Sequence, residues 1–225
     1  MTPAKPSAPR DRNPGRRAPG RPGNDSPDLR PRLIDAALAC FVRDGIAGTS
    51  LRGIATQAGV TPALLNYYFG TKLALRDAVF EERLMPAIAT LRQHIADAGD
   101  DVHALVSTFV HGVLGLVDTH PWLPTLWVRE VLSEGGALRE LLFSRIGPIV
   151  PQMLAARFAE AQKRGQLNPD LDPRLLVVSL IGLTLFPAAG APIWRQVFQA
   201  DLSTGAMANH ALALLTQGIE GKHER

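Results

Sequence analysis

The chain of 225 residues is poor in cysteine, with one, and in aromatic side chains, at 6%. A single Cys excludes an intrachain disulfide framework and any structural zinc site that needs two thiolates. Long hydrophobic runs are missing as well. The longest apolar stretch, Leu175 to Phe186, is interrupted by Ser179, Gly182 and Thr184. A spanning helix needs ~20 apolar residues, so no membrane partner is expected. The basic N-terminus is not followed by the apolar segment of an export signal, which points to the cytoplasm. Signatures of catalysis are also lacking: the chain holds no HExxH, GxSxG, P-loop or GxGxxG. His103 and His111 share a helix face but lie two turns apart, ~12 Å, too far to bind one metal. Neither an enzyme nor a metal or cofactor is expected.

The charge that is present is unevenly placed. Residues 1–76 carry 12 Lys+Arg against 5 Asp+Glu, a net of +7, whereas residues 77–225 carry 12 against 16, a net of −4. Such asymmetry fits a polyanion-binding N-terminal third, and equally a basic solubilising leader. Residues 1–27 contain seven prolines and almost no large apolar side chain. They read as a disordered basic tail, a passive leader or an arm that reaches DNA phosphates.

From Arg30 the pattern turns helical. Leu33, Ile34, Ala37 and Phe41 form one apolar stripe, and Gly45 ends a helix over 31–44. Cys40 lies on it and reads as a small packed hydrophobe. Thr49 and Ser50 offer an N-cap for a short helix, Leu51 to Ala58, broken by Gly59. Thr61 and Pro62 open a second short helix that reaches Tyr68, and Thr71 caps a longer one from Lys72. Leu51, Ile54, Ala55, Ala58, Val60, Leu65 and Phe69 take the inward positions of two crossed helices, with Gly59 at the turn. The remainder reads as helix over 101–118, 121–133, 137–164 (interrupted at Gly147-Pro148 and Pro151), 172–186 and 203–219. The fold class is all-α: a three-helix helix-turn-helix unit, then a larger helical bundle, about nine helices in total.

Outward on the second short helix stand Pro62, Ala63, Asn66 and Tyr67, with Thr61 at its start. This short, amphipathic face suits a recognition helix in a major groove. Arg52 carries a guanidinium that matches a guanine edge, and Lys72 can clamp a phosphate.

The run TSLRGIATQAGVTPALLNYYFGTKLAL, Thr49 to Leu75, resembles the DNA-binding signature of the TetR/AcrR family of bacterial transcriptional regulators. LIDAALACFVRDGIAGTS, from Leu33, resembles the family's first helix. The likeness covers about residues 30–80, and its AGV, NYYF and TK elements at fixed spacing are specific. It implies base contact by Arg52, with Ser50 beside it, and groove entry by Thr61, Pro62, Ala63 and Leu64. It implies phosphate contacts by Asn66, Tyr67, Tyr68 and Lys72. Asn66 stands where many members have Tyr, which shifts the contact toward Tyr67. Leu64 replaces a small polar residue, so it packs inward or meets a thymine methyl.

Three domains follow as expectations: the tail 1–27, the DNA-binding unit 28–76 and an effector-binding and dimerisation unit 77–225. One helix-turn-helix reads one half-site, so a homodimer on a (pseudo)palindromic double-stranded DNA operator is expected. The dimer surface is assigned to the last two helices through Ser179, Gly182, Leu183, Met207, Ala211, Leu214 and Leu215. A small hydrophobic or aromatic effector is expected among Phe109, His111, Trp122, Trp127, Arg129, Phe143 and Met153. The resemblance favours a ligand-released repressor; an activator of the same fold and a helical adaptor without DNA binding are the alternatives.

Overall fold

A computed structural model describes residues 29–145 and 147–219; the Pro-rich segment 1–27 lies outside them. Among the described residues there is helix and no strand. Helix α1 (Leu29–Asp44), α2 (Leu51–Ala58) and α3 (Pro62–Phe69) form the N-terminal unit. Helical backbone then continues from α4 (Lys72–Val79) through a π turn (Phe80–Leu84) into α5 (Met85–Asp97). Pro86 has no N–H to give to the preceding turn, and the chain widens there, with the Met85 N–H donating to Phe80 O. Helix α6 (Val102–Thr119) follows, then α7 (Leu123–Trp127), which runs into a second π turn (Val128–Leu132). Next come α8 (Arg139–Arg145), α9 (Ile149–Lys163), α10 (Pro173–Ala189), α11 (Ala191–Phe198) and α12 (Thr204–Ile219). Pro151 sits in the first turn of α9, where a missing N–H is harmless, and does not break it.

The expected caps recur with a shift at one position. Ser50 Oγ accepts the Gly53 N–H at 3.0 Å, Thr61 Oγ1 that of Leu64 at 3.2 Å, and Thr71 Oγ1 that of Ala74 at 3.1 Å. Asp172 caps α10 through the Arg174 N–H. Thr49, by contrast, is buried, and its hydroxyl donates to Gly45 O at 2.7 Å. Helix α11 is not expected from the sequence: Pro187 and Gly190 precede it and Pro192 stands in its first turn, which punctuates the pattern.

Two cores organise the fold. The first joins Leu33, Ile34, Phe41, Ile54, Leu65 and Leu75 from α1–α4 with Phe80 and Leu84 of the π turn. It also takes Leu126, Val131, Leu138 and Leu141 from well beyond residue 76. The second core surrounds α6, whose Leu105, Val106, Phe109, Val110, Val113 and Leu114 meet Leu154 and Phe158 of α9, Leu180 of α10 and Ala211 of α12. By length and hydropathy alone α6 could cross a membrane, but its apolar stripe is sunk in this core. Trp127 packs against both cores.

Candidate nucleic-acid interface

Helices α2 and α3 cross behind a tight turn. Gly59 takes a left-handed conformation (φ +69°), and the Val60 N–H donates back to Ala55 O at 2.9 Å. This arrangement closes the end of α2 and aims α3 outward. Ile54, Ala55, Leu65 and Phe69 are buried behind the crossing. On the outer side Thr61, Pro62, Ala63, Asn66 and Tyr67 are exposed, with Leu64 and Tyr68 half-buried. Tyr67 is 76% exposed and meets the edge of Tyr68 at 5.7 Å between ring centres. The first turn of α3 leaves the Ala63 N–H without an intrahelical acceptor, ready for an anion. Arg52 and Ser50, at the start of α2, are also exposed. Pro62, Ala63, Asn66 and Tyr67 thus share the outer side of α3 with Thr61 at its start, and Ser50 and Arg52 are exposed at the start of α2.

Lys72 requires a correction. Its ammonium donates to Ile46 O (3.0 Å), Ala47 O (3.1 Å) and Thr49 O (2.9 Å), which uses all three protons. Three carbonyls converge there because the chain turns sharply between α1 and α2. Lys72 therefore staples that turn, and its donors are engaged within the chain.

The same turn is gripped from the other side by the second π turn. Glu130 is buried; its Oε1 accepts the Ile46 N–H at 2.9 Å and its Oε2 the Ala137 N–H at 3.2 Å. Arg129 Nη1 donates to Val42 O (3.2 Å) and Arg43 O (2.9 Å), at the carbonyl end of α1, where a cation also suits the helix dipole. Gly45, at φ +78°, makes room: a β-carbon there would lie 3.2 Å from Arg129 Nε and 3.3 Å from Glu130 Oε1. Nearby, the Arg43 guanidinium, hydrogen-bonded to Asp44, holds that carboxyl below its ordinary value. Arg129 and Glu130 thus form a clasp between the two halves of the chain, which engages the Arg129 guanidinium on α1.

Of the other expected pocket residues, Phe109, Trp127 and Met153 meet in the second core, and the rest lie elsewhere. Phe109 is buried in the second core and Met153 packs against that core, Trp122 meets His120 at a tilted angle at the first core, and Phe143 is exposed on α8. His111 lines a groove of about 490 Å³ between α5 and α6, together with Thr90, Leu91, His94, Thr108, Gly112 and Thr119. The signal for that groove was Gly112 and Gly115 among larger residues on α6. The Trp127 indole N–H is buried with no hydrogen-bond partner among the described residues.

The dimer candidates divide. Met207, Ala211 and Leu215 are buried within the chain, because that face of α12 packs on α6, and this assignment is corrected. Leu183 packs partly against the same core, whereas Ser179, Gly182 and Leu214 are exposed. Among the described residues no group of His, Cys, Asp or Glu could hold a metal.

Comparison with known proteins agrees with this geometry. Residues 33–79 match the family of bacterial regulatory proteins called the tetR family, and residues 103–219 match a tetracyclin repressor-like C-terminal domain. The transcriptional regulator RutR of Escherichia coli (strain K12) is 29% identical over 174 residues, 77% of each chain. The ketosteroid transcriptional regulator KstR2 of Mycobacterium tuberculosis superposes with TM-score 0.67 at 19% identity, over 90% of this chain and 100% of that one. NalD of Pseudomonas aeruginosa, a secondary repressor of a multidrug efflux pump, gives 0.63 at 22%, over 87% and 98%. With both halves matched and a helix-turn-helix that presents its second helix to solvent, the chain belongs to the TetR family and is a DNA-binding transcriptional regulator, not an enzyme.

Proposed function

We propose that the protein is a dimeric repressor that leaves its operator when a small, mainly apolar molecule binds the C-terminal half. The outward face of α3, with Arg52 beside it, carries this reading. Its side chains are short or amphipathic, its first turn is open to an anion, and a buried core holds it rigid. Dimerisation rests on the exposed apolar face of α10 and α12, where Leu175, Val178, Ser179, Gly182 and Leu214 stand unpartnered within the chain. Two features support ligand reception: the groove between α5 and α6, apolar with threonine and histidine at its edge, and the unpaired Trp127 N–H, which an acceptor on a ligand would satisfy. Repression is in line with NalD, and an apolar effector with the ketosteroid named for KstR2. A ligand that prefers one spacing of the two α3 helices shifts the population toward it. The protein would act in the cytoplasm, where the operator lies.

The test is fluorescence anisotropy with DNA flanking its own gene, at two salt concentrations. Affinity should fall steeply with salt as counterions are released. No preference over unrelated DNA at either salt would refute the reading. A thermal-shift screen of apolar ligands, followed by their effect on DNA binding, tests the effector.

A further inference from the structure

Helix α11 presents an unusual combination. It is eight residues long, APIWRQVF, and none of its residues is buried in its own chain. Isolated helices this short are marginal in water, so α11 needs a surface to pack on. Its apolar residues fall on one stripe: Ile193, Trp194, Val197 and Phe198. Ile193, Val197 and Phe198 are 59%, 60% and 63% exposed, and Phe186 on α10 is 64% exposed.

The stripe continues the α10 face. Phe186 lies 6.0 Å from Trp194 and Trp194 stacks at 6.4 Å on Phe198, so an aromatic row runs across the 67° bend between the helices. Gly190 permits this bend, since a β-carbon there would collide with the Trp194 indole. At the far end Leu175, Ser179 and Leu214 line a shallow groove between α10 and α12.

The exposed apolar area is of the size that a protein interface needs. Leu175, Val178, Phe186 and Leu214 alone expose roughly 100 Å² each, about half of the ~800 Å² per partner of a standard interface. Ile193, Val197, Phe198 and Leu202 bring the total to about that value. The charges at either end are neutralised within the chain, Arg174 by Asp172 and Arg195 by Asp201. A helix lying on an anionic membrane carries a basic polar face, whereas α11 has one Arg, already paired. An apolar surface with internally matched charges suits a second copy of itself.

We propose that α11 docks on a second copy of this chain and completes the dimer interface begun by α10 and α12. This inference rests on the dimer reading above. In the dimer the Trp194–Phe198 row is covered by the partner, and α11 acts as a strap that sets the dimer affinity.

The test measures dimer dissociation of the full chain by sedimentation velocity for wild type, Val178→Glu on α10, and the double variant Val197→Glu/Phe198→Glu on α11. Both variants should weaken the dimer ~100-fold or more, since buried charge disrupts interface anchors. A wild type that is monomeric throughout overturns the dimer reading and this inference with it. A dimer lost in Val178→Glu but unchanged in the double variant overturns the role of α11 alone. Hydrogen exchange of residues 191–198 in wild type is the second measurement: slower exchange in the dimer than at monomeric dilution supports the strap, and equal exchange overturns it. Cosedimentation of wild type with phosphatidylglycerol vesicles, lost in the double variant, overturns the second copy as occupant.

Discussion

Replacing Glu130 by glutamine tests whether the two halves are held by the clasp. The carboxylate is buried, with one oxygen on the Ile46 N–H and the other on the Ala137 N–H. Hydrogen bonds to a charged group contribute ~1.5–3 kcal/mol each. The substituted amide would keep one of them through its carbonyl and turn its NH₂ toward the other donor. The expected cost is about 2 kcal/mol, a fall in Tm of roughly 4–8 °C for a chain of this size. Glu130→Ala leaves both N–H groups unpaired beside a small cavity and should cost about 3–5 kcal/mol. Glu134→Gln, on the exposed residue four positions on, is the control and should stay within ~0.5 kcal/mol. Chemical denaturation gives the stabilities, and the anisotropy assay shows whether the α1–α2 turn still holds α3 for DNA. If Glu130→Gln matches the control in stability and DNA affinity, the clasp reasoning is wrong.

Three further perturbations separate structure from recognition. Lys72→Met removes the ammonium from the Ile46, Ala47 and Thr49 carbonyls and should destabilise by about 2–3 kcal/mol in urea; unchanged stability with a shallower salt slope would restore the phosphate role. Arg52→Ala should lower affinity for the preferred DNA by ~10–100-fold and leave Tm unchanged, measured by anisotropy and thermal melting. Gly45→Ala places a methyl group against the Arg129 and Glu130 side chains at φ +78° and should cost about 1–3 kcal/mol by thermal melting.

The DNA-binding end was legible because its signals are local. Caps, prolines and glycines at fixed offsets set α2 and α3 to within a residue, and the 3.6-residue stripe separated Leu65 and Phe69 from Asn66 and Tyr67. The role of Lys72 was hidden because its partners are backbone carbonyls more than twenty residues earlier, which side-chain chemistry does not announce. Periodicity marks an apolar face without naming its partner. Met207 and Ala211 therefore looked like interface residues and proved to be core, while Leu214, one step around the same helix, is exposed. The expected pocket residues divide because large apolar side chains serve two cores: Phe109 and Met153 go to the second, Trp122 to the first and Trp127 to both, and sequence spacing does not tell which. Helix α11 is not legible because it is short, with Pro187 and Gly190 before it and Pro192 in its first turn, which resembles a loop.

The shared first core restricts how such regulators can be recombined. Leu126, Val131, Leu138 and Leu141 fill space under the DNA-binding helices, so a head cut at the α3–α4 junction leaves its underside bare. A chimera that borrows another relative's head would need residues 126–141 to travel with it, or matched volumes at those four positions. On the proposed reading, operator preference can drift at Arg52 and on the outer side of α3, while the two halves must change in step along their seam.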